Sequence, residues 1–428
     1  MTSNSGTTLV QVGNVGQRNS KSQEKAAPYL ASCEKMLRLM AVWPGDRPEN
    51  VSERIPIQLM VEFVFYVIGL TSCANQMRRS TNDIPALTQC LSVSGAFLVS
   101  GHKILAISTH RRTVASLIAM AREPLCLEGE DDRTVAYVRK LDRIQFFYFN
   151  GLFWSSVFTV GLMLVRPAMD AIVAADTSQD EVNVTAPALT FDPTLPLVIA
   201  VPVPASVSAS AVGHAALYAL HCVMASFHIV AVPGLDGFFS GLMLRAAARL
   251  HLLRAALERL RVEASAQGDD GRSQLKRDFA LLVQEHQAIL GYLQQLENVL
   301  SPAMMSQFFM SSALIPCSAY QIASTSSDFA NLMSQVAFLS GGLMQLGAYC
   351  IFGDNIKQES DAVGMSAYLG EWVGAGSPHI LSLRIMLVRS QFPARLTIGR
   401  FMELSLETYA GILKASFTYF TLLNELTD

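Results

Sequence analysis

Apolar residues fall along the chain in blocks of roughly 20, the length that crosses the hydrocarbon layer of a bilayer as a helix. Six blocks are plain: 55–74 (IPIQLMVEFVFYVIGLTSCA), 84–108, 144–165, 208–232, 303–323 and 329–352. A seventh, 404–423, is weaker by hydropathy because it carries Glu407 and Lys414. Between the fourth and fifth blocks the pattern changes. GLMLRAAARLHLLRAALERLRVE and LKRDFALLVQEHQAILGYLQQLENVL set apolar residues at helical spacing among charges. Spans four and five are therefore expected to run past the membrane as amphipathic helices. Their apolar faces need a partner, either each other or another subunit. A shorter amphipathic helix, EKMLRLMAVWP, is expected to stop at Pro44 and lie on the inner membrane surface.

Composition agrees with a membrane chain. Apolar residues make up 51% of the 428 and charged residues only 16%, where soluble chains carry about 25% charged residues. The N-terminal stretch MTSNSGTTLVQVGNVGQRNSKSQEK is polar and lacks the apolar core of a signal peptide. The first span is thus expected to act as the signal.

The loop charges orient the bundle. Loop 110–143 holds seven Lys and Arg, segment 245–300 holds eight and segment 353–403 holds five, while loops 168–207 and 324–328 hold none. Cytoplasmic loops are the ones enriched in Lys and Arg. The expected fold is an all-α membrane protein with seven transmembrane helices, N-terminus cytoplasmic and C-terminus extracellular; Arg78 and Arg79 alone run against it. A G-protein-coupled receptor would have the opposite orientation. Of the two N-x-S/T sites, at Asn50 and Asn183, only Asn183 would face outward and accept a glycan.

Chemistry is sparse. The net charge of −3 and the absence of a basic stripe argue against a nucleic-acid partner. No nucleotide, hydrolase or metalloprotease motif occurs, so no enzyme activity and no cofactor is expected. The seven cysteines stand singly, as small buried residues rather than metal ligands or a disulfide framework. His214, His221 and His228 recur every seven residues on one face of span four; that spacing disfavours a metal and leaves packing or a polar cavity lining open. The glycines of SGGLMQLG suit close helix packing. Glu62 on span one is either a pathway group or faces a partner, and Lys414 on span seven can snorkel to the membrane edge. Span three is dense in aromatics, and Phe147, Gly151, Trp154 and Phe158 share a face that either packs or lines an apolar ligand pocket.

The segment YCIFGDNIKQESDAVGMSAYLGEWV, Tyr349 to Val373, followed by LRIMLVRSQFPARLTIGRFMELSLETYAGILKASFTYFTLL, resembles the C-terminal third of insect odorant receptors. The matching features are Tyr349-Cys350, Phe352-Gly353, Glu359-Ser360, Tyr368, Trp372, Arg389, Pro393, Phe401, Ser405 to Tyr409 and Ser416 to Leu423. LRLMAVWP resembles the family's N-terminal segment. Gustatory receptors are the nearest relatives to confuse with it, but their ending is only half kept in Thr418-Tyr419 and Glu425-Leu426. The ending ELTD differs from that of the family's co-receptor, so the chain resembles a ligand-tuning subunit.

The resemblance implies an odorant-gated, non-selective cation channel at the plasma membrane of olfactory sensory neurons. In such channels four subunits, tuning subunits together with the co-receptor, surround one pore lined by the last helix. It divides the chain into a cytoplasmic tail (1–54), six transmembrane helices with the ligand pocket (55–352), and an anchor segment with the pore helix (353–428). It implies a volatile, mostly apolar ligand in the outer half of the bundle among spans two, three, four and six, with Leu91, Ser94, Gly151, Trp154, Phe158, His214, Tyr218 and Val336 as candidate contacts. It matches Leu422 and Leu426 to a hydrophobic constriction, and Glu425 to a glutamine at the pore mouth. A secondary transporter is a further class, but its paired broken helices in two halves are not seen.

Overall fold

The structure is a computed structural model. It describes residues 28–45, 49, 51, isolated positions between 60 and 78, 84–125, 127, 130–177, 210–264, 269–324, 329–370 and 377–425. Asn183, Glu62, Leu426, most of span one and most of the N-terminal tail lie outside the described residues.

Nine helices are bounded among those residues: α1 (Pro28–Leu39), α2 (Ile84–Thr109), α3 (Arg111–Arg122), α4 (Asp132–Thr177), α5 (Ala211–Ala264), α6 (Asp269–Ser324), α7 (Phe329–Tyr368), α8 (Ser377–Ser390) and α9 (Leu406–Glu425). The described positions between 60 and 78 are also helical. One two-stranded hairpin, β1 (Thr397–Ile398) with β2 (Met402–Glu403), sits between α8 and α9.

Spans two, three, five and six each fall within one helix, span four is helical from Ala211 and span seven from Leu406, and four of these helices far exceed their apolar blocks. At about 1.5 Å per residue, α5 with 54 residues runs to roughly 80 Å. Extension was expected for spans four and five, yet α4 begins twelve residues before span three and α7 continues sixteen past span six. The charges in DRTVAYVRKLDR lower hydropathy without lowering helix propensity, so a hydropathy block underestimates the helix. Among the described residues, three helices, α4, α5 and α7, contain windows long and apolar enough to cross a membrane by length and composition.

The tightest core lies in the extensions. Leu235, Phe238, Phe239, Leu242 and Leu250 of α5 are fully buried against Ile289, Tyr292, Leu296 and Leu300 of α6 and Tyr349, Cys350 and Ile356 of α7. The amphipathic faces thus partner each other within one chain. Ion pairs tie the rim: Arg249 with Glu285 at 2.8 Å, Arg254 with Glu359 at 2.7 Å, and Arg259 with Glu130. Burial raises the Glu123 and Glu130 carboxyls, against the opposing pull of Arg249 and Arg259 respectively.

The first helix stops five residues short of Pro44. Leu30, Cys33 and Leu37, three to four apart, are buried on one face, and Gly234 and Gly237 of α5 let that face approach closely. A Cβ on Gly237 would stand 2.9 Å from the Cys33 sulfur. The apolar stripe of this helix is covered by protein, and Trp43 beyond it packs edge-on against Phe238. The hairpin docks on α6 through backbone donors: Thr397 N–H to Glu297 Oε2 at 2.9 Å, and Gly399 N–H to the Ser301 carbonyl at 3.1 Å. Gly399 turns with φ +59°, and a side chain there would strike Phe401 and Met305.

Candidate functional site

A cavity of about 160 Å³ opens between α2, α4, α5, α6 and α7. Four of these carry spans two, three, four and six; α6 adds span five. Apolar groups such as Leu152, Met224, Leu314 and Phe338 make most of the wall, interrupted by Ser100, Ser155, Ser156 and Thr159. On α5 the lining runs from His221 to Asp236, about 22 Å of helix rise.

One end of the cavity is charged. Lys103 of α2 forms an ion pair with Asp236 of α5, and the two side chains are 1% and 2% exposed. Lys103 Nζ also donates to Gln307 Oε1 of α6 at 2.8 Å. Asp236 Oδ1 accepts from the Tyr349 hydroxyl at 2.7 Å, and Oδ2 accepts from Gln345 Nε2 at 3.1 Å. The lysine ammonium lies 5.2 Å from the centre of the Tyr349 ring. Gln307 Nε2 passes the chain on to Ser311 Oγ at 3.1 Å. Two ions in a dry interior are tolerated only when both are paired and their remaining donors and acceptors are engaged, which this network achieves from four helices.

Of the eight candidate contacts named from the sequence, the seven whose side chains are described stand around this cavity rather than on its wall. Trp154 and Phe158 are 64% and 52% exposed on the outside of α4, and Val336 is 42% exposed on α7. Gly151 borders Leu152 and faces Met344. The Ser94 hydroxyl donates to the Leu91 carbonyl of its own helix, and Leu91 is half-buried. Tyr218 reaches a wall residue by donating to the Leu164 carbonyl at 2.8 Å. The backbone of His214 is helical; its side chain is outside the described residues. His221 and His228 both line the cavity, so of the two uses left open for the histidine face, cavity lining holds for these two; His228 also packs against Phe97. Among the described residues no three His, Cys, Asp or Glu gather to hold a metal ion.

The cavity's charged end was missed. Lys103 is the single Lys, Arg, Asp or Glu within spans two to six. A lone ion inside an apolar span needs a partner, and that signal was present in the sequence.

On α9, Ile412 and Ser416 are buried against the chain, whereas Lys414, Thr418, Leu422 and Glu425 form one exposed stripe. These four positions recur at helical spacing.

The profile of the 7tm odorant receptor family matches residues 83–417, more than three quarters of the sequence. This chain belongs to the odorant receptor family. That is a family of receptors and not of enzymes, and with the long apolar helices it makes the chain a membrane protein. Odorant receptor 10 of Aedes albopictus is 26% identical over 34% of this chain and 38% of its own length. Odorant receptor 13a of Drosophila melanogaster is 27% identical over 49% of this chain and 51% of its own. The chain thus spans about half or less of the length of these relatives. The solved structure of the insect olfactory receptor OR5 from Machilis hrabei, in complex with eugenol, superposes with a TM-score of 0.71 at 17% identity, over 94% of this chain and 98% of that one. At that identity the likeness is one of fold: the odorant receptor described here shares its helical architecture.

Proposed function

We propose that this chain is an odorant-tuning subunit of a ligand-gated, non-selective cation channel, and that a small volatile molecule binds in the cavity between α2, α4, α5, α6 and α7. The observation that carries this reading is the cavity itself. It is largely apolar, sits among the long helices, and has a volume of about 160 Å³. An apolar cavity of about 150 Å³ takes a molecule of benzene's size. Burying a few hundred Å² of such a ligand at roughly 25 cal/mol per Å² gives micromolar affinity or weaker. The Machilis receptor's eugenol complex supports the same class of ligand.

In this reading the seven helices span the plasma membrane of olfactory sensory neurons with the N-terminus inside and Asn183 outside, where it carries a glycan. Four subunits, including the co-receptor, meet around a pore. The exposed stripe Lys414, Thr418, Leu422 and Glu425 supports α9 as the pore wall, because those side chains have little cover among the described residues. Leucines facing a narrow pore close it by dewetting, and a carboxylate at the mouth draws cations.

The test exploits Gly342. It lines the cavity, and a Cβ added there meets nothing within 4 Å. With the co-receptor present, a panel of volatiles should evoke current in excised patches free of G-protein signalling. Gly342→Phe should abolish those responses at unchanged surface level. Persistence of the full response profile in Gly342→Phe would remove the cavity as the ligand site. Responses that vanish once G-protein signalling is lost would instead favour a seven-helix G-protein-coupled receptor.

A further inference from the structure

The cavity ends on two opposite charges that neutralise each other. Among the described residues, Lys103 and Asp236 are the only Lys, Arg, Asp or Glu on its wall, and His221 and His228 are its other titratable groups. Both ions are engaged. Asp236 accepts from Lys103, Tyr349 and Gln345, and Lys103 donates to Asp236 and Gln307. Neither charge is left over for a ligand.

A carboxylate entering this space would lose its water and find Lys103 already neutralised by Asp236. An ammonium would find Asp236 already neutralised by Lys103. Each would sit as an unpaired ion in an apolar cavity, which is among the costliest placements a protein interior offers. An uncharged molecule bears no such cost. Hydroxyl groups such as Ser100 and Thr159 remain on the wall to meet a single alcohol or carbonyl group.

Resting on the reading of the cavity as the ligand site, we infer that Lys103 and Asp236 are specificity-determining residues whose mutual neutralisation restricts the cavity to uncharged ligands. Unbalancing the pair would change the class of ligand admitted. Asp236→Asn leaves the lysine charge unpaired and makes the cavity a host for small carboxylates. Lys103→Met leaves the aspartate charge unpaired and makes it a host for small amines.

The probes are benzyl alcohol, benzoate and benzylamine, which share one ring and differ in charge. Binding is measured at neutral pH by titration calorimetry on the purified chain in lipid nanodiscs, with Gly342→Phe as the blocked-cavity control. The wild-type chain should bind benzyl alcohol at least tenfold more tightly than either ion. Asp236→Asn should move the benzoate-to-alcohol affinity ratio at least tenfold toward benzoate, and Lys103→Met should move the benzylamine ratio likewise. Should either single variant fail to fold, the double variant Lys103→Gln/Asp236→Asn, which removes both charges together, should keep the wild-type preference for the alcohol. Comparable binding of the alcohol and an ion by the wild-type chain overturns the inference while leaving the cavity as a ligand site. So do single variants that bind but keep the wild-type order, or a double variant that admits ions. If none of the three probes binds, or if Gly342→Phe binds them all as well as the wild type, the cavity reading falls and this inference with it.

Discussion

Tyr409 of the last helix stands over Gly347 of α7: a Cβ on the glycine would lie 3.3 Å from the tyrosine Cζ, and the phenol hydroxyl donates to the Leu343 carbonyl at 3.4 Å. The same stretch of α7 supplies Gln345 and Tyr349, which hold Asp236 at the end of the cavity. One helix therefore touches the proposed ligand site and the proposed pore helix within two turns.

If movement of α7 couples the two, widening the contact should change gating without removing ligand binding. Gly347→Val drives a branched side chain into the Tyr409 ring. Tyr409→Ala empties the same space. Both should alter ligand-evoked current about tenfold at unchanged surface expression, within the coupling of about 1–3 kcal/mol typical of linked sites. Tyr409→Phe keeps the ring and loses only a long hydrogen bond, so its response should stay close to the wild type. Dose–response recordings on the three variants check this, and equal behaviour of all three would refute it.

The exposed stripe on α9 makes a prediction about ions rather than ligands. Leu422→Ser should raise current in the absence of ligand, because a wetted ring no longer closes the pore. Glu425→Gln should lower divalent permeability or block and leave the odorant dose response in place. Reversal-potential measurements in calcium and sodium separate the two effects. A shift of ligand potency with unchanged permeation would place the pore elsewhere.

Arg249 is the centre of an ion-pair cluster at the extension end, shared between Glu285 and Glu123 and 8% exposed. Arg249→Ala leaves two carboxylates without their cation. Loss of one partner from a largely buried pair costs about 3 kcal/mol. The variant should melt earlier in detergent and reach the surface less often, and Arg249→Lys should recover only part of the loss because it cannot hold both carboxylates in a fork. A melting temperature unchanged by Arg249→Ala would contradict this.

His286, buried in the extension of α6 and outside the apolar spans, should give stability a sign in pH. Burial, assisted by the nearby Arg389, lowers its pKa to about 4. The unfolded ring titrates near 6.5. Because the folded value is depressed, the contribution is complete above pH 6.5 and is lost progressively as pH falls toward 4. Glu403, held below the ordinary carboxylate range by its hydrogen bond from Lys357 and then from Arg395, contributes a further loss in the acid direction at lower pH. His286→Gln should flatten the part of the melting-temperature profile between pH 6.5 and 4, and a profile identical to the wild type would exclude the assignment.

Hydropathy and charge alone determined that the chain is all-helical, where its apolar blocks lie, and that the segments around 245–300 are amphipathic. These are local properties: about 20 apolar residues in a row, or apolar positions every three to four, constrain a segment whatever surrounds it. The family was legible too, in a run of C-terminal residues from Tyr349 to Leu423. Which face of each helix turns inward was settled only by the tertiary structure. The aromatic stripe of span three is the instructive case. A helix in lipid bears no penalty for presenting Trp154 and Phe158 outward, so apolar richness does not distinguish inside from outside, and it is Ser155, Ser156 and Thr159 on the other side of the same helix that line the cavity. The charged end of the cavity shows the same limit. Lys103 announced in the sequence that it needed a partner, but the partner, Asp236, lies 133 residues away and was chosen by the packing of α2 against α5, α6 and α7.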